Sequence, residues 1–386
     1  MQIKDVDEFA FIDSITDNSI YDESSLRVGI GDDCAVTITH TAMDEVVTTD
    51  MMVEGIHFSV QTTAAYDVGY RLAAANISDI AAMGARPKHI LLSVAVPKEA
   101  ELTYLQQIYE GIKALCARYK VNIIGGDTVS TTGPLVLSMT VIGEVPKGKA
   151  ILRSGAQVGD YVCVTHVLGS SRVGLEVLLA LSPSMGAACY PYSIAAHQRP
   201  EPQVELGETL RVLGATAMND ISDGLASELN EIAKASQVAI LVEEAKIPLH
   251  EETYMWVKQS DNSIEMVDTN GVEKYNSTGF NTPVDYALYG GEDFQLVFTL
   301  PQDVYENVKR ESSKQAIASK FTVIGRVIDE AEHQSATANI RPQANPTKTV
   351  KGSITVEKTT TAVYIKRRQG EVELLLPKGY NHFKNR

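Results

Sequence analysis

The sequence predicts an α/β protein of two domains. Its 386 residues exceed what one hydrophobic core normally organises. Short β-branched runs alternate with longer stretches of helical apolar spacing, the pattern of sheets covered by helices. Several of the β-type runs end where a glycine stands beside an aspartate, and open α/β sheets keep their ligand sites at the carboxyl ends of strands.

Taken in order, Phe9 to Ile15 reads as a short apolar helix, and polar residues lead from it to Val28-Gly29-Ile30-Gly31. Val46 to Thr49 is a strand by its β-branched composition. Asp67 to Met83 is Ala-rich with helical spacing, and Gly84 with Pro87 stops it. On that helix Asn76 and Asp79 are three apart and share a face. His89 to Val96 is expected as a strand, Glu99 to Tyr119 as a long amphipathic helix, and Val121 to Ile124 as a short buried strand ending at Gly125-Gly126-Asp127. Leu135 to Val145 is a further strand. Gly143 to Ala150 nearly matches a P-loop, but the hydroxyl residue after Lys149 is missing and Pro146 removes an N–H from the cradle. It is taken as a linker turn, dividing residues 1–147 from 148–386.

The second half opens with the strand Tyr161 to Thr165 and a helix beginning at Gly169-Ser170-Ser171. A proline-broken stretch from Ser182 to Pro202 precedes a helix from Val204 to Leu213. Asp220 to Gly224 closes a short strand and opens the helix Leu225 to Ala235. Val238 to Val242 and Phe294 to Thr299 are strands, the second introduced by Tyr289-Gly290-Gly291-Glu292-Asp293. Polar, weakly periodic segments near 251–282 and 329–361 read as surface insertions. The end, Leu374 to Phe383, turns apolar and aromatic and is expected to dock.

Lys and Arg number 34 against 49 Asp and Glu, and a net charge of −15 argues against a nucleic-acid partner. No segment is long and apolar enough to span a membrane, and the first residues lack the pattern of a signal peptide. Cys34, Cys116, Cys163 and Cys189 lie far apart with no C-x-x-C pair, which fits buried free thiols in a reducing, cytoplasmic compartment.

Four acidic clusters carry the chemistry. Thr48-Thr49-Asp50 and His57 lie at and just past the first strand, and Gly31-Asp32-Asp33, Gly125-Gly126-Asp127 and Asp220-Ile221-Ser222-Asp223-Gly224 answer them. Asp-Gly pairs ordinarily mark solvated turns. Four of them, three closely following apolar β-type runs, weigh toward a site. If the fold gathers these carboxylates, cations must sit among them, and oxygen-only ligands suit Mg²⁺ rather than zinc. A Mg²⁺-dependent phosphoryl-transfer enzyme follows.

The ordered set of Gly-Asp-Asp, Thr-Thr-Asp…Glu-Gly-x-His-Phe, Asn-x-Ser-Asp-x-Ala-Ala-Met-Gly-Ala, Gly-Gly-Asp-Thr, Arg-Ser-Gly-Ala, Asp-Ile-Ser-Asp-Gly-Leu and Gly-Gly-Glu-Asp-Phe resembles the thiamine-monophosphate kinases. These share a superfamily with aminoimidazole ribonucleotide synthetase, selenophosphate synthetase and the hydrogenase-maturation dehydratase. The resemblance implies an N-terminal α/β domain whose sheet pairs with its twin in a homodimer, and a C-terminal α/β domain closing over it. It implies ATP, several Mg²⁺ ions and thiamine monophosphate as acceptor. By motif, Asp33, Thr48, Thr49, Asp50, Asp79, Asp127, Asp220 and Asp223 would be metal ligands, with Asp50, Asp127 and Asp220 central to catalysis. Gly126, Asp127, Arg153, Ser222 and Tyr109 would contact ATP, and His57, Glu292 and the segment at Pro377 the acceptor.

The chain departs from that pattern at Pro377, where the family usually carries Trp, at His166, where Gly is usual, and at Asn219. Two alternatives therefore stand beside the kinase. One is another ATP-using member of the superfamily, of which selenophosphate synthetase and the maturation protein are disfavoured by the lack of Cys in residues 1–27 and at the chain end. The other is a catalytically silent relative that binds nucleotide or thiamine phosphates.

Overall fold

The computed structural model describes residues 18, 20–28, 36–38, 40–260, 280–311, 315–338 and 361–378. The expected helix at 9–15, the Asp32-Asp33 cluster, most of both insertions and the chain from 379 onward lie outside the described residues.

A small antiparallel pair, β1 (Leu26–Val28) and β2 (Val36–Thr37), precedes the first sheet. That sheet is built from β3 (Met43–Val53), β4 (Arg86–Pro97), β5 (Asn122–Thr131) and β6 (Val136–Pro146) in the order β3-β6-β4-β5. The helices α1 (Ala65–Ala82) and α2 (Leu102–Tyr119) cover one face. Only β4 and β5 run parallel, because α2 carries the chain across between them. The helices approach closely because Gly69 and Gly111 face the carbonyls of Ile108 and Tyr66, where a Cβ would stand 1.8 and 1.9 Å from the oxygens. The opposite sheet face is open, with Val47, Met51 and Val129 all at least half exposed.

The second sheet is larger. Its elements are β7 (Tyr161–Thr165), α3 (Ser170–Ala180), α4 (Pro183–Cys189), α5 (Pro191–Gln198), α6 (Val204–Leu213), β8 (Ala217–Asp220), α7 (Leu225–Ser236) and β9 (Ala239–Glu243). They continue with α8 (Glu251–Ser260), α9 (Pro283–Tyr289), β10 (Leu296–Leu300), α10 (Gln302–Arg310), α11 (Gln315–Ala318), β11 (Phe321–Ile328), α12 (Glu330–Ala338), β12 (Ala362–Lys366) and β13 (Val372–Leu374). The strand order is β13-β12-β9-β11-β7-β10-β8. β8 is thus an edge strand, and it lies against α1. Ser78 of that helix donates from Oγ to Asp220 Oδ2 at 2.8 Å.

Further polar contacts join the two halves along α1 and α2. Arg211 Nε donates to the Gly84 carbonyl at 2.9 Å, the Tyr119 hydroxyl to the Pro202 carbonyl at 2.8 Å, and Gln198 to the Thr62 carbonyl at 2.8 Å. Arg199 pairs with the buried Asp67.

Several expectations need correction. The strand starting near Val121 does not end at Gly125 but runs on to Thr131, because β4 goes on pairing with it to Pro97 after a register shift at Ile90 and Leu91. The P-loop-like stretch, by contrast, is a turn as expected, following the end of β6, with Gly148 N–H donating to Asp44 Oδ2 at 2.6 Å. The segment near 251–282 is no simple polar insertion, since its first ten residues are α8. Trp256 of that helix donates to the buried Glu176 at 2.9 Å and packs edge-on against Tyr190, with ring centroids 5.5 Å apart. The segment near 329–361 likewise begins with α12. The strands β11, β12 and β13 were not among the expected elements.

Candidate active site

Strand and helix periodicity build the acidic cluster. Residues two apart on β3 are about 7 Å apart and point to one side. Thr48 Oγ1 donates to Asp79 Oδ2 at 2.5 Å, and the Asp50 N–H donates to Asn76 Oδ1 at 2.9 Å. The shared helix face of Asn76 and Asp79 therefore lies along the free edge of β3. One residue before Asp79, Ser78 reaches the second sheet and holds Asp220. Asp50, Asp79, Asp220 and Asp223 are drawn together in this way across the seam between the two halves.

Their electrostatics are those of acids buried close to one another. The Asp50 carboxyl keeps solvent access along one side, yet burial of the rest, with Asp79 and Asp223 nearby, pushes it up to about 6. Burial raises Asp79 as well, opposed by the Thr48 hydrogen bond and by Arg153. Asp220, 3% exposed, is pushed well above the usual carboxylate range by burial and then by Asp79. A fifth acid not anticipated from sequence joins them: burial raises Glu228 of α7 to about 7. Glu228 accepts from the Asp223 N–H at 3.1 Å and from Asn219, which in turn accepts from Arg153 Nε at 3.1 Å. Ser222 Oγ reaches Glu228 Oε1 at 3.5 Å. Asn219 thus bridges Arg153 to the acids.

Other expected site residues are not brought to this cluster. Thr49 points to the opposite sheet face, where its Oγ1 donates to the Met139 carbonyl at 2.9 Å and accepts from Thr140. Asp127 lies on β5, the edge strand furthest from β3, three strand spacings or about 14 Å away. Its register partner is the exposed Ser93, so it also faces the open side of the sheet. Tyr109 is 5% exposed within the first core, and burial raises its hydroxyl pKa. Asp33 is outside the described residues.

Gly126 has a steric reason to be glycine: a Cβ there would sit 1.8 Å from the Leu92 carbonyl oxygen of β4. Gly126→Ala is expected to force β4 and β5 apart and lower stability by at least about 2 kcal/mol, read as a fall in thermal midpoint. An unchanged midpoint would remove this packing role.

The residues expected at the acceptor do meet. His57 sits in the turn after β3, with Nδ1 accepting the Val53 N–H at 3.0 Å. Glu292 follows Gly290-Gly291, and its N–H donates to the Ser222 carbonyl at 2.6 Å. Between them lies Arg71 of α1, 2% exposed, donating from Nη1 to the His57 carbonyl at 2.9 Å and pairing with Glu292 through Nη2. His197 Nδ1 is 4.0 Å from Glu292, but burial, with Arg71 and Arg172 nearby, lowers its pKa well below normal and keeps it neutral. It is not the counter-ion of Glu292. Pro377 is exposed beside Lys378, whose Nζ lies 5.6 Å from the centroid of the Tyr289 ring, so the tail runs next to the Glu292 turn.

Asp293 is turned away from solvent. It accepts from the N–H groups of Gly169 at 2.7 Å and Ser171 at 3.3 Å at the start of α3, yet burial outweighs these bonds and raises it to about 7. A raised carboxyl binds its proton more tightly folded than unfolded. Its stabilising contribution is complete below the ordinary Asp value near 4 and is lost as pH climbs through about 7. Asp293→Asn should therefore gain stability relative to the parent between those pH values, as followed by melting at stepped pH. A constant difference would contradict it.

Residues 31–145 match the family described as AIR synthase related protein, N-terminal domain, and residues 157–336 its C-terminal domain. The thiamine-monophosphate kinase of Bacillus subtilis (strain 168) is 39% identical over 98% of this chain and 100% of its own. The solved thiamine-monophosphate kinase from Stenotrophomonas maltophilia K279a superposes with a TM-score of 0.68 at 33% identity, covering 84% of this chain and 95% of its own. AaThiL complexed with AMPPCP and TMP superposes at 0.62 with 31% identity, covering 85% and 93%. With both AIR synthase related halves and similarity spanning nearly its whole length, the chain belongs to the thiamine-monophosphate kinase family.

Proposed function

We propose that this chain transfers the γ-phosphoryl group of ATP to thiamine monophosphate, giving thiamine diphosphate and ADP. The observation that carries the reading is the gathering of Asp50, Asp79, Asp220 and Asp223 at the seam of the two halves, with the carboxyls of Asp50, Asp79 and Asp220 held above their ordinary range. The family supplies the acceptor: AaThiL is complexed with AMPPCP and TMP.

The donor set fits Mg²⁺. Among the described residues no three acidic, His or Cys side chains close on one point as a metal cage. Mg²⁺ seldom uses one, being held by one or two carboxylates and completed by phosphate oxygens and water. Asp50, Asp79, Asp220 and Asp223 would hold several such ions between them, one or two carboxylates to each, and Glu228 would orient Asp223 through its backbone N–H. When bound, Mg²⁺ supplies charge neutralisation and alignment of the two phosphate chains.

The chain's own residues have a modest chemical task. The attacking oxygen belongs to a phosphate already ionised at neutral pH, so no strong general base is needed. Positioning matters more. Arg153, now bonded to Asn219, offers a fork to a phosphate. Ser222 would border the nucleotide, and Gly126, next to Asp127 on β5, would do so only across a dimer, while His57 and Glu292 would hold the acceptor. Pro377→Trp would add an aromatic surface beside the Glu292 turn. It is expected to lower the acceptor KM several-fold and leave the ATP KM alone in steady-state assays, and an unchanged acceptor KM would take the tail out of the pocket.

Two further features belong to this reading. A homodimer formed by the open face of the first sheet would cover Val47, Met51 and Val129 and bring Asp127 to a second chain. We place the domain boundary near residue 147, and the end of the first sheet at Pro146 supports it. Among the described residues no helix is long and apolar enough to cross a membrane. The thiols of Cys116 and Cys163 are free and buried, whereas that of Cys189 is free but exposed, against the expectation of burial; free thiols support a cytoplasmic enzyme.

The deciding assay supplies ATP and Mg²⁺ with thiamine monophosphate, free thiamine or aminoimidazole precursors in parallel, and separates the thiamine products by chromatography. Thiamine diphosphate formed from the monophosphate alone is expected. ATP binding without product would favour another acceptor or a silent binding protein.

A further inference from the structure

We propose that Arg71 is a positioning residue for the acceptor, fixing His57 and Glu292 relative to one another across the two halves of the molecule; this rests on the reading of His57 and Glu292 as acceptor contacts. Arg71 is one of the largest fully buried side chains, yet it belongs to the middle of α1, where a long apolar residue would satisfy the packing. Its charge is used in two directions. Nη1 holds the His57 carbonyl of the turn after β3, and Nη2 holds the Glu292 carboxylate of the turn before β10. Its Nε–H makes no hydrogen bond among the described residues, so the guanidinium is committed to these two turns.

Glu292 needs such a holder. It has φ of +57°, the left-handed region that a residue with a side chain occupies only when its surroundings fix it there. Its backbone is pinned by the bond to the Ser222 carbonyl, next to Asp223. Its side chain is one-third exposed, and the buried His197 lies 4.0 Å from the same carboxylate oxygen that Arg71 holds. The carboxylate therefore presents an open edge while its inner edge is anchored by a rigid fork. A lysine cannot reproduce this, because one ammonium lacks the planar pair of donors that spans carbonyl and carboxylate together. Since the two turns come from opposite sides of the seam, the Arg71 fork sets the gap an acceptor must fit, while the carboxylates that would serve ATP are anchored separately by Thr48 and Ser78.

The test is steady-state kinetics of the full chain with both substrates varied, comparing Arg71→Lys, Glu292→Gln and the parent. Arg71→Lys is expected to raise the KM for thiamine monophosphate by about tenfold or more with the ATP KM within about twofold of the parent. An acceptor KM unchanged in Arg71→Lys but raised in Glu292→Gln overturns the positioning role and leaves the acceptor reading intact. An unchanged acceptor KM in Glu292→Gln overturns both. Should Arg71→Lys not fold, the double variant Arg71→Met with Glu292→Gln removes both charges together and leaves neither unpaired. An acceptor KM above that of Glu292→Gln alone, with the ATP KM unmoved, then supports the role through the freed His57 turn. Equality with the single variant overturns it.

Discussion

Asp220→Asn is expected to lower kcat by at least about 10³-fold, equivalent to about 4 kcal/mol of transition-state stabilisation, without lowering the thermal midpoint of the metal-free protein. The physical reason lies in the pKa of this group. Burial and the neighbouring Asp79 raise it well above the usual carboxylate range, so the fold without metal disfavours the anion, and asparagine is a close isostere of the neutral carboxyl. The amide oxygen can still accept from Ser78. What the variant loses is the ability to become an anion when a cation arrives. Stability from a raised carboxyl is present at low pH and lost as pH rises through its folded value, so the variant should also be the more stable form at neutral pH. The parent should gain thermal stability on adding Mg²⁺ and ATP, and Asp220→Asn should gain little, because stabilisation by a ligand follows its affinity for the native state. Melts with and without Mg²⁺, run beside the kinase assay, check each statement. Parent-like turnover in the variant would remove Asp220 from the mechanism.

The second large effect concerns Asp127. Asp50→Asn and Asp127→Asn are each expected to be inactive alone, yet a mixture unfolded and refolded together should recover about a quarter of parental activity. The recovery follows from the strand order. Asp50 is on β3 and Asp127 on β5, at opposite edges and on opposite faces of one sheet, so a single chain does not bring them together. If the open face of that sheet pairs with its twin, each site takes Asp50 from one chain and Asp127 from the other. Random reassortment then makes half the dimers mixed, and each mixed dimer has one site with neither change. Sedimentation of the refolded mixture would establish the dimer, and the activity would establish the sharing. A dimer with no recovered activity would mean that Asp127 serves a site within its own chain or none.

The legible part of the site was local. The Thr48-Thr49-Asp50 run, the Ala-rich helix with Asn76 and Asp79 on one face, and the Asp220-to-Gly224 turn before a helix all carry their position in residue spacing. Thr49 shows the same rule from the other side, since β alternation alone places Thr48 and Thr49 on opposite faces of a strand. Composition averaged over a window concealed α8, whose apolar stripe of Trp256 and Val257 is narrow within a polar segment. The β-branched run of β11 offered a signal comparable to the strands that were expected.

The sequence by itself determined the family, the two α/β halves and the acidic chemistry, because motifs and periodicities are properties of neighbouring residues. Only the tertiary structure decided which acids meet. Strand order separates Asp127 from Asp50, and the packing of α1 between the two sheets joins Asp79 to Thr48 and Ser78 to Asp220. Arg71, His197 and Glu228 carry no local signal of their roles, since each is defined by partners distant in the chain or by burial in another element's shadow. A charged residue in an apolar helix looks like a solvated face until its partner 221 residues away is placed against it.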